Sequence, residues 1–441
     1  MNALNLVTTI VFALLGVAYT YQFVYVLIVW AHDYKEYRLK KSGLAVAEPE
    51  CTEQKRYAFV IAARNESSVI GNLIDSIKRQ DYPSDKIDVF VVADNCTDDT
   101  ASIASLKGAI VFERFNKVEV GKSYALDYCF SRIDKEYGGY DAYDGYFIFD
   151  ADNIISKNYV TEMNKVFCQG HKVVTSYRNS KNYDTNWITS GYSLWFLREA
   201  KYLNNARVMT NNSCAVSGTG YLFDSSLLYK YGGWKFNLLT EDIQFSTVNI
   251  LDGEKIGFAM NAMFYDEQPT TFRQSWTQRM RWSKGFYQVI WKHGLDLIKG
   301  IFTKKKMFFS CYDMLMTLAP ATLLTLGLML VNAFYIILAA TSPEKAMEFL
   351  PATGRMLAFQ IVQYYVLMFV VGLITTISEW NKIVALNSRK ILAIFTFPLF
   401  MLTYIPISIV ALFKKVEWKP IKHNITTSLD DLETAKVRIN K

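Results

Sequence analysis

GYFIFDAD, residues 145–152, is the stretch that decides the fold. An unbroken apolar run, Gly145–Phe149, leads straight into Asp150-Ala151-Asp152, two carboxylates separated by one small residue. A short continuous apolar run that ends at turn-forming residues reads as a strand buried on both faces, the kind found in parallel sheets. The same kind of run recurs upstream, at Tyr57–Ala63 (YAFVIAA), Asp88–Ala93 (DVFVVA) and Ala109–Phe112. Between these runs, Glu66–Arg79 (with Val69, Leu73 and Ile77 at helical spacing), Asp99–Leu106 and Lys122–Arg132 read as helices. Alternation of this sort predicts an α/β domain whose parallel sheet is covered by helices on both sides. Ligands of such sheets lie beyond the carboxyl ends of the strands. Arg64-Asn65-Glu66 stands there after the first strand, Asp94-Asn95-Cys96-Thr97-Asp98-Asp99 after the second, and Asp150-Ala151-Asp152 after the fourth.

Outside this region the chain changes character. No charged residue occurs in Met1–His32, Met314–Pro343, Met356–Ser378 or Ile391–Phe413. Each window is long enough to cross a hydrocarbon core of ~30 Å as a helix. The net charge is +7, and much of it flanks these windows: Lys35, Arg38, Lys40 and Lys41; Lys299 and Lys304–Lys306; Lys382, Arg389 and Lys390; Lys414 and Lys415. That placement follows the positive-inside rule and not a nucleic-acid-binding face. It predicts a multi-pass protein of the cell (plasma) membrane, with the N-terminus outside, the large domain in the cytoplasm, the lipid bilayer as a partner and no nucleic acid. The first window lacks a charged leading segment and a small-residue cleavage site, so an uncleaved anchor is expected. One window before the domain and three after it would leave the C-terminus outside, whereas Lys414, Lys415 and Lys419 place it inside. Ile391–Phe413, which contains Pro398 and Pro406, is the segment most apt to be interfacial, kinked or split. The six cysteines form no C-x-x-C pair, which predicts reduced, buried thiols, and four scattered histidines speak against zinc.

Three later motifs are weak alone. Ser217-Gly218-Thr219-Gly220 reads as a turn, Thr240-Glu241-Asp242 as a helix cap, and Gln278-Arg279-Met280-Arg281-Trp282 as part of an amphipathic interface helix. An Asp-x-Asp pair likewise often marks a solvated loop. At a strand end, however, two carboxylates two residues apart suit a hard cation, Mg²⁺ or Mn²⁺, shared with a diphosphate. Taken in order, Asp94, Asp150-Ala151-Asp152, Thr240-Glu241-Asp242 and Gln278-Arg279-Met280-Arg281-Trp282 resemble the D, DxD, TED, QxxRW signature of membrane-integrated processive family-2 glycosyltransferases. Cellulose, mixed-linkage β-glucan, hyaluronan and poly-N-acetylglucosamine synthases belong to that group. The likeness covers about residues 56–300. Two departures stand out: a single N-terminal membrane helix, and no aromatic residue in Ala63-Arg64-Asn65-Glu66 to lie against uracil.

The resemblance implies a GT-A (Rossmann-like) cytosolic domain embedded between transmembrane helices. Its expected boundaries are a membrane helix at 1–32, a linker at 33–55, the catalytic domain at 56–270, interface helices at 271–306, further membrane helices at 307–413 and a cytosolic tail at 414–441. It implies an inverting β-glycan synthase that polymerises a UDP-sugar, UDP-glucose first, and secretes the growing polysaccharide through its own channel. Poly-N-acetylglucosamine or hyaluronan synthesis, or a single transfer to a lipid acceptor, are the alternatives. A transporter or scaffold fits less well, because Asp, Glu, Lys and Arg are absent from the apolar windows. Asp152 with Asp150 would hold the metal. Ala63, Glu66, Asp94, Lys122, Asp150 and Arg281 would bind the donor, with Lys122 and Arg281 beside the diphosphate. Asp242 would take the proton of the acceptor hydroxyl, oriented by Glu241. Trp282, Gly218, Thr219 and Gln278 would hold the acceptor, the Trp282 ring packing on a sugar face. The segment carrying Trp418, Lys419 and His423 lies where related synthases have a gating loop; a basic juxtamembrane tail is the plainer reading.

Overall fold

The computed structural model describes residues 2–43, 51, 53–341, 343–417, 421 and 423–439. Its centre is one eight-stranded sheet. In chain order the strands are β1 (Tyr57–Ala63), β2 (Ile87–Asp94), β3 (Ile110–Arg114), β4 (Gly145–Asp150), β5 (Ile154–Ile155), β6 (Val173–Ser180), β7 (Tyr221–Asp224) and β8 (Ile256–Asp266). They lie side by side as β3-β2-β1-β4-β7-β6-β8-β5. The first half, β3 to β4, is parallel, as the apolar runs require, and β1 and β4 are fully buried over most of their length. One core layer packs Tyr57, Phe59 and Phe147 under the helix Ile70–Lys78; the other packs Val60, Phe90 and Ile148 against the helix Lys122–Glu136.

The second half corrects the expectation of a wholly parallel sheet. β7 runs antiparallel to both β4 and β6, and β5 antiparallel to β8. The cause is the path of the chain. After β6 it passes through the helical stretch from Trp187 to Met209, climbs back along the domain, and reverses in the 217–220 turn at the carboxyl end of the sheet. β7 must then descend. Gly220 makes that reversal possible: its φ is +67°, and a Cβ there would stand 2.3 Å from the Phe264 ring.

The cysteine expectation also fails in part. Cys51 and Cys168 form a disulfide with Cα atoms 6.2 Å apart, while Cys129, Cys214 and Cys311 are free and buried and Cys96 is free and half-buried. The residues ahead of β1 lie across the helix Tyr159–Phe167, where Asn164 donates to the Glu53 carbonyl at 2.9 Å, and this brings the two sulfurs together.

The described residues of the four charge-free windows are largely helical. Those of the first fall in Asn2–Lys41, which runs on past residue 32, those of the second largely in Phe308–Ala340, and the third lies in Pro343–Ser378. The fourth is split at Thr403 into Asn387–Leu402 and Tyr404–Phe413. Among the described residues, Ala358–Ser378 and Asn387–Phe413 are long and apolar enough to cross a membrane. The split segment packs closely on the domain: Gly191 admits Phe400 so tightly that a Cβ would stand 2.4 Å from its ring. Its two flanks reach the same place. Asn179 donates to the Lys382 carbonyl at 3.0 Å, and the Asn424 and Ile425 amides donate to Glu267 at 3.1 and 3.0 Å, all at the carboxyl ends of β6 and β8. The chain therefore leaves the domain and returns to it through this segment.

Candidate functional site

The residues singled out in the sequence gather along the carboxyl ends of β1, β2, β4 and β8. At β1 and β2 the chain turns through two left-handed residues, Asn65 (φ 58°) and Asn95 (φ 54°), a conformation asparagine tolerates better than most. Their side chains tie the two turns: Asn65 accepts from the Thr97 amide at 2.8 Å, and Asn95 both donates to Asp94 at 3.1 Å and accepts from the Asn116 amide at 3.0 Å. Asp94 is buried and paired with Arg114, the last residue of β3, at 2.7 Å. Ala63 is buried beneath, and Glu66 opens the next helix with its carbonyl accepting from Ile70 at 3.0 Å.

At the end of β4 the two aspartates take different environments. Asp150 is half-exposed and accepts from Lys122 Nζ at 2.5 Å, while the same ammonium donates to the Gly218 carbonyl at 2.7 Å. Thr219 closes the ring: its hydroxyl accepts from the Asp150 amide at 2.9 Å and donates to Asn153 at 2.6 Å. Asp152 is buried and accepts from the Glu267 amide at 2.8 Å. Burial alone would raise its pKa, but His423, Lys181, that amide and Arg178 outweigh it and hold the carboxyl below its ordinary range.

Glu241 and Asp242 begin the helix Glu241–Leu251. Gly218, in left-handed conformation at φ +80°, faces them: a Cβ there would be 4.0 Å from Asp242 Oδ2. Burial raises both carboxyls, and the negative charge of Asp242 raises Glu241 further, to about 7, against the pull of Lys122 and Arg281. Behind this pair, Thr240 touches the long helix Phe272–Thr303 at Gly285. That helix carries the QxxRW residues on one continuous rod of about 48 Å. Arg281 donates to the Leu239 carbonyl at 3.4 Å. Trp282 is half-buried, edge-on to Tyr192 and Phe196 with ring centroids 5.7 and 6.1 Å away. Gln278, one turn earlier, has a buried Oε1 with no hydrogen-bond partner among the described residues.

The tail closes the other side. His423 Nδ1 lies 2.9 and 3.0 Å from the two Glu66 oxygens, with Asp152 and Glu267 near enough to raise its pKa to about 10 although burial opposes the charge. Burial raises Glu66, against His423. Leu429 and Leu432 of the helix Leu429–Ile439 pack on Ile154 and Tyr265. Trp418 and Lys419, the other two tail candidates, lie outside the described residues.

The comparisons bear on this arrangement. Residues 54–285, slightly more than half of the chain, match the profile of the family described as glycosyltransferase like family 2. The chain belongs to this family. Among the relatives of this family-2 glycosyltransferase is a β-monoglucosyldiacylglycerol synthase of Synechocystis, 28% identical over 239 residues, which are 52% of this chain and 47% of that enzyme. Another is the probable glycosyltransferase YdaM of Bacillus subtilis, 24% identical over 309 residues, 65% of this chain and 67% of the relative. A third is the poly-β-1,6-N-acetyl-D-glucosamine synthase of Staphylococcus epidermidis, 25% identical over 267 residues, 59% and 61% of the two chains. The match thus spans about half the length of the first of these. In fold the chain resembles the mannosyltransferase PcManGT from Pyrobaculum calidifontis, solved with GDP-Man and Mn²⁺, with a TM-score of 0.53, 18% identity, and 92% of this chain and 99% of that one covered. The mixed sheet is thereby that of a GT-A glycosyltransferase.

Three arginines of the site escaped the sequence reading. Arg114 sits at a strand end, so the rule that found Asp94 reaches it. Arg178 near the end of β6 pairs with Asp266 and donates to the Ser217 carbonyl at 2.9 Å, but β6 was not read as a strand. Arg279, fully buried, donates to the Phe400 carbonyl at 3.1 Å and to Thr403 at 2.7 Å, fastening the QxxRW helix to the split apolar segment. No local signal distinguishes Arg279 from Arg281, which is only half-buried.

Proposed function

We propose that this family-2 glycosyltransferase transfers a hexosyl group with inversion from a UDP-sugar, UDP-glucose first, to the end of a β-linked polysaccharide at a membrane surface. The observation that supports the reading is the convergence of Asp242, Lys122 and Asp150 around the 217–220 turn, with Arg281 and Trp282 on the adjoining helix. Lys122 directs fixed positive charge at the leaving diphosphate, and Arg281 adds to it. Asp242 removes the acceptor proton as the hydroxyl attacks the anomeric carbon, so an α-linked donor gives a β-linked product. Burial raises both Glu241 and Asp242, and each carboxylate disfavours ionisation of the other, which suits the pair to holding and passing a proton. Trp282 orients the acceptor ring.

The site fits a divalent cation. Its hard oxygen donors are Asp150 and Asp152, together at the end of β4. That suits Mg²⁺ or Mn²⁺, which complete their shells with diphosphate oxygens and water. Such an ion would neutralise charge on the departing diphosphate.

A second reading, a single transfer to a lipid hydroxyl, is favoured by the name of the Synechocystis relative. One experiment separates them. Purified protein is incubated with radiolabelled UDP-glucose or UDP-N-acetylglucosamine and Mg²⁺ or Mn²⁺, and products are partitioned into organic solvent, sized, and digested with linkage-specific glucanases. Large, glucanase-sensitive material from UDP-glucose supports the first reading. Label confined to the organic phase supports the second. Absence of transfer from both donors defeats both.

A further inference from the structure

A cavity of about 600 Å³ opens where the long helix Phe272–Thr303 ends, against the amino ends of β6 and β8. Its lining holds five lysines, Lys172, Lys255, Lys304, Lys305 and Lys306, against one carboxylate, Glu254. That carboxylate is already matched, by Lys172 at 2.8 Å and by Lys230 at 3.7 Å. Lys255 donates to Asn211 at 2.8 Å, a neutral partner. Lys304, Lys305 and Lys306 are exposed, and their side chains enter no hydrogen bond or ion pair among the described residues. A concave site with this excess of one sign concentrates anions.

What lies beside the cavity identifies the anion. The last turns of the same helix expose Trp291 (93%), Leu295 (74%), Ile298 (43%) and Phe302 (82%). Their spacing places them on one face. The next helix exposes Phe308 immediately after the lysines. A contiguous apolar stripe of this kind marks a contact surface, and an aromatic and aliphatic stripe bordered by lysines lies among lipid headgroups. The open side of the cavity then stands at headgroup level.

We propose that this cleft binds the phosphate-bearing headgroup of an anionic phospholipid, gripped between Lys304-Lys305-Lys306 on the interface side and Lys172 and Lys255 on the catalytic-domain side. Lys172 immediately precedes β6 and Lys255 immediately precedes β8. The two strands carry Arg178 and Asp266 at the active-site end. A bound lipid therefore fastens the catalytic sheet to the helix that carries Arg281 and Trp282. This site is independent of which donor or acceptor the enzyme uses.

The test uses the full-length protein, purified in mild detergent from bilayers of equal phosphatidylglycerol and phosphatidylcholine, with retained lipid counted by native mass spectrometry. The wild type should retain phosphatidylglycerol selectively. K304Q/K305Q/K306Q and K172Q/K255Q should each lower that retention at least tenfold. K414Q/K415Q, an equal or smaller loss of juxtamembrane charge elsewhere, should leave it unchanged. The single variants K255Q and K305Q, with unfolding temperatures measured alongside, should show a several-fold loss if a multiple variant fails to fold. Equal retention of phosphatidylcholine, unchanged retention in K172Q/K255Q, or equal loss in K414Q/K415Q would overturn the site in favour of diffuse surface charge. Displacement of the lipid by millimolar inorganic phosphate would overturn it in favour of a soluble anion.

Discussion

Gly285→Ala should disable transfer without touching a substrate. The added methyl would stand 2.5 Å from both Thr240 Cγ2 and Thr240 Oγ1, and 2.9 Å from Thr240 Cβ. Carbon atoms pack at about 3.5–4.0 Å, so about 1 Å of movement is needed. Rotating a β-branched side chain does not provide it, because Cβ itself is too close; the backbone at Thr240 or the helix Phe272–Thr303 must yield. Overpacking of this sort costs about 1–3 kcal/mol in stability. The larger effect is kinetic. Glu241 and Asp242 follow Thr240 directly, and a displacement of ~1 Å at a reacting group costs ~10²-fold in rate. On the proposed assignment UDP binding draws on Asp94, Lys122 and Asp150, and it should survive. The assay is UDP release with and without acceptor, alongside UDP affinity, on purified protein. Adding Thr240→Gly removes Cβ, Oγ1 and Cγ2 together and should restore a good part of the rate. A Gly285→Ala enzyme within twofold of wild type would refute the reasoning, and so would a loss that Thr240→Gly does not relieve.

Four further outcomes are expected. Asp242→Asn should lower transfer ~10²–10⁴-fold while UDP affinity stays near wild type, and turnover above half of wild type would remove Asp242 as the base. Asp152→Ala should abolish the dependence of UDP binding on Mg²⁺ or Mn²⁺, read by calorimetry with and without chelator; unchanged dependence counts against the metal assignment. Glu241 has a folded pKa raised from 4.5 to about 7, so the folded state holds a proton that the unfolded state releases, and stability falls as pH rises through that window. Glu241→Gln should flatten this part of the melting-temperature profile, and an unaltered slope would contradict the assignment. Trp282→Ala should reduce polymer or lipid product far more than slow donor hydrolysis; because the ring also packs on Tyr192 and Phe196, parallel loss of both activities would assign it a structural part only.

The parallel half of the sheet was legible because each of its strands carries a short continuous apolar run. Tyr57–Ala63 matches exactly, and Ile87–Asp94, Ile110–Arg114 and Gly145–Asp150 differ from expectation by one or two residues at their ends. β6 (VVTSYRNS) and β8 carry polar residues on buried positions, where Ser176 and Arg178 serve the 217–220 turn, so their pattern does not announce a strand. β7 is four residues long and takes its direction from a turn at Gly218 and Gly220. Asp94, Asp150 and Asp242 were readable from spacing, since chemistry at strand and helix ends obeys position along the chain. The contacts of His423 with Glu66, of Arg279 with Thr403 and of Cys51 with Cys168 join residues more than a hundred positions apart, and only the folded chain brings them together.

The most direct measurement of the central claim is the anomeric configuration of the product. Purified enzyme is given UDP-glucose carrying ¹³C at the anomeric carbon, and the transferred residue is read by its one-bond carbon–hydrogen coupling in NMR. A single in-line displacement assisted by Asp242 predicts that the α-linked donor becomes a β-linked glucosyl residue, in wild type but not in Asp242→Asn. An α-linked product, or a β-linked product formed equally well by Asp242→Asn, would contradict it.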